Sequence, residues 1–87
     1  MIRYEKHAVA YGKWLREFLY RHAITATQLA DKSEYHHNVI RNWMRGRNLP
    51  NGHSMVVIAT QLSLLTPYSR PEILEAMATS MLAEEEV

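Results

Sequence analysis

Apolar side chains recur every three or four positions through almost the whole chain, and no alternating apolar–polar run or hairpin turn interrupts them. That period lines one face of a helix, whereas a half-buried strand needs an apolar residue at every second position. The sequence therefore specifies an all-α fold, and its Gly, Pro and Asn breaks divide it into five helices. No cysteine is present, so neither a disulfide nor a thiolate metal site can support the fold. A chain of 87 residues that is 47% hydrophobic must then close its core by packing alone, near the lower limit of what folds unaided. The expectation is one domain over residues 1–87, a compact five-helix bundle whose thin margin a second copy would widen.

The first helix spans about Tyr4–Arg21, with Val9, Leu15, Phe18 and Leu19 near one face and Trp14 beside them. Gly12 costs helix propensity there and marks a close approach of another helix. A short second helix opens at Thr25 or Ala26 and runs through Gln28-Leu29-Ala30-Asp31-Lys32. Leu29 and Ala30 point inward, and the small Ala30 admits a neighbour. After a turn at Ser33-Glu34-Tyr35, a third helix runs from about His36 to Arg45, with Val39, Ile40, Trp43 and Met44 available for packing. Gly46 fits a left-handed stop, and Leu49-Pro50-Asn51-Gly52 is a turn-rich break. The fourth helix takes Ser54 to about Leu62, its core positions being Met55, Val56, Ile58, Ala59 and Leu62. Ser69-Arg70-Pro71-Glu72 reads as a capping box with Pro71 in the tolerated first turn. It opens a fifth helix, about 69–84, in which Ile73, Leu74, Met77, Met81 and Leu82 recur at helical spacing; Glu84–Glu86 are expected to fray.

Net charge is only +1, but it is unevenly spread. Residues 35–71 hold four arginines (Arg41, Arg45, Arg47, Arg70) and no acid, whereas residues 72–87 hold five glutamates and no base. A middle stretch without acids, rich in Arg, His and Asn, suits either a solvated basic face or a surface turned to a polyanion. The acidic end would be repelled from that polyanion and is expected to lie away from it.

Two short helices joined by a tight turn, the second polar and basic on one face, form a helix-turn-helix arrangement, here over about residues 25–45. A helix that enters the major groove must be exposed and must carry groups matching base edges, Arg for guanine and Asn for adenine. His36, His37, Asn38, Arg41 and Asn42 are that base-reading set, and Arg45 and Arg47 just beyond are placed to hold phosphates. Thr25, Thr27 and Gln28 stand at the start of the second helix, where free backbone N–H groups and a hydroxyl bind phosphate. Trp43 falls on the packing side, opposite Asn38 and Arg41.

The stretch Thr25-Ala26-Thr27-Gln28-Leu29-Ala30-Asp31-Lys32, followed by Asn38-Val39-Ile40-Arg41-Asn42-Trp43-Met44-Arg45-Gly46-Arg47, resembles the Cro and lambda-type repressor helix-turn-helix family. Leu29 and Ala30 match its second-helix packing pair, Ile40 and Trp43 the apolar positions that seat the recognition helix. Arg45-Gly46-Arg47 with Pro50 resembles its exit, and Ala59 with Leu62 its next helix, so the likeness covers roughly residues 9–65. Two positions depart from the pattern: Glu34 stands where Gly is usual in the turn, and Ser33 where an apolar residue is. Glu34 must therefore adopt, or avoid, a backbone conformation that favours Gly.

The resemblance implies a lambda-repressor-like DNA-binding domain, double-stranded DNA as partner, and a homodimer on a two-fold symmetric operator. Ile73, Leu74, Met77 and Met81 either close the core or meet the twin chain. Three functional classes stay open: a transcriptional repressor of a phage or mobile element, an antitoxin that also binds a toxin, and a DNA-recognising phage assembly subunit. An enzyme is not expected, because no phosphate-cradling Gly-rich loop, nucleophile motif or pair of buried carboxylates occurs. The histidines at 7, 22, 36, 37 and 53 lack the i, i+4 pairing of a metal site, so no metal or cofactor is implied. His36 and His37 read instead as polar DNA contacts that add pH sensitivity near neutrality. Met1–Lys6 has no apolar run for a signal peptide, and Met55–Ala59 is too short to cross a bilayer. A soluble cytoplasmic protein is the expectation.

Overall fold

The polypeptide makes five helices in order, α1 (Ile2–Arg21), α2 (Ala26–Ser33), α3 (His37–Met44), α4 (Gly52–Leu65) and α5 (Arg70–Glu85). The computed structural model describes the backbone of residues 2–85 and the side chains of residues 6–82, and no strand occurs among the described residues. The fraying expected at Glu84–Glu86 is not seen at Glu84 and Glu85, where the backbone stays helical to the end of α5, and Glu86 lies outside the described residues.

Helix starts follow the polar caps. Thr25 Oγ1 accepts the Gln28 N–H at 3.0 Å while Gln28 Oε1 accepts the Thr25 N–H at 2.8 Å, a reciprocal capping box for α2. Ser69 and Glu72 do the same for α5, as their spacing predicts, at 2.8 and 3.3 Å. Asn51 Oδ1 accepts the Ser54 N–H at 2.8 Å and so starts α4 at Gly52, two residues earlier than the sequence reading placed it. Helix α4 also runs on to Leu65, ending just before Pro67, whose ring restricts the residue preceding it.

Ten large side chains meet at the centre: Tyr11, Leu15 and Leu19 from α1, Leu29 from α2, Ile40 and Trp43 from α3, Ile58 and Leu62 from α4, Ile73 and Met77 from α5. None is more than 4% exposed. Helix α1 packs on α3 and α5, α4 on α2 and α5, and α3 on α1 and α2. The radius of gyration, 12.0 Å, equals the roughly 12 Å expected of a compact globule of this length.

Four apolar positions assigned to packing faces from the sequence are instead solvated: Val9 is 56% exposed, Val39 37%, Val56 41% and Leu82 60%. In α1 the buried face is carried by Ala8, Tyr11, Leu15, Phe18 and Leu19, an i, i+3, i+7 series that leaves Val9 one step outside it. Gly12 sits where α1 crosses the end of α3. A Cβ added there would lie 2.5 Å from the Trp43 carbonyl oxygen and 2.9 Å from both the Met44 carbonyl oxygen and the Gly46 nitrogen. Only glycine allows that approach.

Tyr11 was not singled out from the sequence. It is fully buried, and its hydroxyl has no hydrogen-bond partner among the described residues. Burial alone raises its ionisation well above the ordinary tyrosine range. An unpaired buried hydroxyl costs about 1–3 kcal/mol, so Tyr11→Phe is expected to raise the unfolding free energy by about that amount. Because the folded state resists ionising Tyr11, this titration leaves stability untouched below the unfolded pKa of about 10 and lowers it as pH rises beyond that. Denaturant titrations at neutral and alkaline pH check both points: the variant should lose less stability than the parent above about pH 10.

Candidate functional site

The first turn of α3 is built by two imidazoles. His36 is the N-cap, with extended backbone, and its Nδ1 accepts the Asn38 N–H at 3.1 Å. His37 Nδ1 lies 3.3 Å from Arg41 Nη1, one turn on. A guanidinium can only donate, so this nitrogen also accepts. Each ring thus engages its Nδ1, and a neutral imidazole that accepts there holds its proton on Nε2. They stack with centroids 4.4 Å apart and planes 26° from parallel. Asn38 and Arg41 are exposed beside them, whereas Asn42 is half-buried. Asn42 also uses its backbone carbonyl to accept the Arg47 N–H at 3.1 Å.

The other end of α3 closes on Gly46, at φ 76°. The Gly46 N–H donates to the Trp43 oxygen at 3.0 Å and the Arg47 N–H to the Asn42 oxygen at 3.1 Å, the bond pair of a Schellman stop. Arg16 of α1 adds a bond from Nη1 to the Met44 carbonyl oxygen. Arg45 and Arg47 emerge from this end, both exposed. Trp43 is buried, as expected, with Tyr35 edge-on at 5.5 Å between centroids. Tyr35 is fixed in turn by a 2.7 Å hydrogen bond to the buried Ser54 hydroxyl.

The turn between α2 and α3 resolves the question posed by Glu34. It takes the left-handed conformation, φ 68° and ψ 14°, and its N–H donates to the Ala30 carbonyl at 2.9 Å. A non-glycine residue there costs roughly 1–2 kcal/mol. Ser33, standing where an apolar residue is usual, is buried and directs its hydroxyl to the Ala30 carbonyl at 3.5 Å. The turn thus keeps the backbone that glycine would give.

At the start of α2, Thr25, Thr27 and Gln28 are all exposed. The capping box occupies acceptors, Thr25 Oγ1 and Gln28 Oε1. The Thr25 hydroxyl proton and the Gln28 amide N–H groups stay available to an anion, as do the Ala26 and Thr27 backbone N–H groups of the first turn.

Val39 is a residue the sequence reading missed. Its apolar character assigned it to the core, yet it is exposed between Asn38 and Ile40. The one signal was position: at about 100° per residue, Val39 and Met44 lie at the two edges of the arc they share with Ile40 and Trp43, and the two buried residues lie between them.

The possible dimer residues separate. Ile73 and Met77 are each 1% exposed and belong to the chain's own core, so they are not a surface for a second copy. Leu74 and Met81 are half-buried against the same core. The large exposed apolar residues at the junction of α4 and α5 are Leu64, Leu65 and Tyr68. Glu72 and Glu75 are exposed on α5, which packs on α1 and α4. Among the described residues no helix is long and apolar enough to cross a membrane, and no group of three His, Asp or Glu side chains is placed to share a metal ion. No protein-family model, curated protein or solved structure matches the chain.

Proposed function

We propose that the protein is a sequence-specific DNA-binding regulator of transcription, a repressor in which α2, the Glu34 turn and α3 act as a helix-turn-helix and α3 enters the major groove. One observation carries this reading: the acid-free N-terminal turn of α3, in which His36, Asn38 and Arg41 are exposed and the half-buried His37 stacks on His36 and bonds Arg41. Arg41 suits guanine and Asn38 adenine, and Val39 supplies an apolar contact for a thymine methyl. Thr25, Thr27 and Gln28 then hold one phosphate region, and Arg45 and Arg47 another. The stem of the surface is rigid, because a cap, a glycine stop and Trp43 fix α3 at both ends and underneath.

A homodimer on a two-fold symmetric operator is part of this proposal: paired half-sites lie about 34–36 Å apart, or about one helical turn, and the two α3 helices of the dimer would have to match that spacing.

Anisotropy of the protein with DNA from upstream of its own gene, beside a scrambled duplex at two salt concentrations, tests the reading. Tight binding to the upstream DNA alone is expected. Arg41→Ala and Asn38→Ala should each weaken that binding by about 1–3 kcal/mol while leaving scrambled DNA nearly unaffected. Equal losses on both duplexes would remove these residues from base reading.

A further inference from the structure

The close approach at Gly12 does more than seat α1 on α3; it gathers cations from distant parts of the chain. Val9, Gly12 and Arg16 share one face of α1, three and four residues apart. A Cβ on Gly12 would press on the Trp43 and Met44 carbonyls, and one on Gly46 would come within 3.0 Å of Val9 Cα. Arg16, 28 residues before Met44, donates to the Met44 carbonyl. This stripe therefore lies along the C-terminal end of α3, from which Arg45 and Arg47 emerge. Lys13 borders the stripe, next to Gly12 and four residues after Val9, and is exposed.

We propose that Lys13 and Arg16 carry the nucleic-acid surface onto α1 and hold backbone phosphates beside those taken by Arg45 and Arg47. The inference rests on the DNA-binding reading above and extends its footprint. Three physical points support it. Lys13, Arg16, Arg45 and Arg47 have no carboxylate partner among the described residues, even though Glu17 adjoins Arg16 in sequence. The bond to Met44 employs one Arg16 nitrogen and leaves the other N–H groups free. It also pre-orders a long side chain, so less rotamer freedom is lost when a phosphate arrives. Finally, the C-terminal end of a helix carries about half a negative charge, which would repel a phosphate unless cations cover it. Arg16 does so directly at the Met44 carbonyl.

The test is the salt dependence of binding to a fluorescein-labelled, mixed-sequence DNA duplex three helical turns long. It compares the parent protein with Lys13→Gln, Arg16→Gln and, as control, Arg70→Gln. Arg70 begins α5 and reaches Thr60 of α4, away from α3. Each lost phosphate contact lowers the slope of log K against log salt by about 0.9. Lys13→Gln and Arg16→Gln should each flatten the slope by about that amount, and Arg70→Gln should not. Arg16→Gln also removes the bond to Met44, whereas Lys13→Gln leaves it intact and so separates phosphate binding from support of α3. An unchanged slope in Lys13→Gln, or the same flattening in Arg70→Gln, overturns the proposal. Failure of the underlying reading has a different signature: the parent protein itself then shows no salt-sensitive binding to this duplex or to the upstream one.

Discussion

Trp43→Ala is expected to remove about 3–5 kcal/mol of stability. The indole is 4% exposed, joins the core beside Ile40, and meets Tyr35 edge-on. Truncation would leave a cavity directly beneath the exposed face of α3, where Tyr35 also loses its ring partner. A domain of this size holds about 5–15 kcal/mol in all, so the loss is a large share of the total. Thermal unfolding followed by circular dichroism should show a midpoint lower by at least 10–20 °C, since each kcal/mol shifts it by about 4–8 °C. A variant that melts like the parent would mean the indole contributes nothing to packing.

Gly12→Ala is the second large effect, and its sign is the informative part. In an ordinary exposed helix this change gains about 1 kcal/mol of propensity. Here the new methyl would stand 2.5 Å from a backbone oxygen of α3, with two more backbone atoms at 2.9 Å. Backbone cannot swing aside as a flexible side chain can, and overpacking of this kind costs about 1–3 kcal/mol or more. We expect a net loss of about 2 kcal/mol, with amide shifts concentrated in residues 43–47. Gly52→Ala is the matched control: nothing lies within 4 Å of the added methyl, so that change should be neutral or mildly stabilising. Equal effects from both substitutions, read by chemical denaturation, would refute the close approach.

The architecture was legible because its signals are local. Helical periodicity gave the five elements, and Ser69 with Glu72 and Gly46 gave a start and a stop that the structure reproduces. What could not be read was anything decided by a neighbour. Val9 and Tyr11 are both apolar enough for a core, and only the packing of the whole bundle shows Tyr11 inside and Val9 largely outside. Ile73 and Met77 match a dimer face as well as a core until α1 and α4 are seen to cover them. Glu34 looked like an obstacle to the turn, yet one strained residue is a small cost when the helices on both sides are held by burial. In the candidate site the residue types were evident from the sequence, but the mutual arrangement was not. The pairing of each imidazole Nδ1 with a donor depends on rotamers that no spacing rule specifies.

Helix α3 has eight residues, and a helix that short is not stable alone in water. Its order is borrowed: from the His36 cap at one end, from Arg16 and the Gly46 stop at the other, and from Trp43 below. A peptide covering residues 25–47 would consequently be a poor mimic, since it lacks the α1 residues that hold the helix. The surface is not a transplantable module, and whatever ligand selects it also selects the folded state of the entire chain. Heat resistance gained on adding a ligand would thus be a label-free way to find what this protein binds.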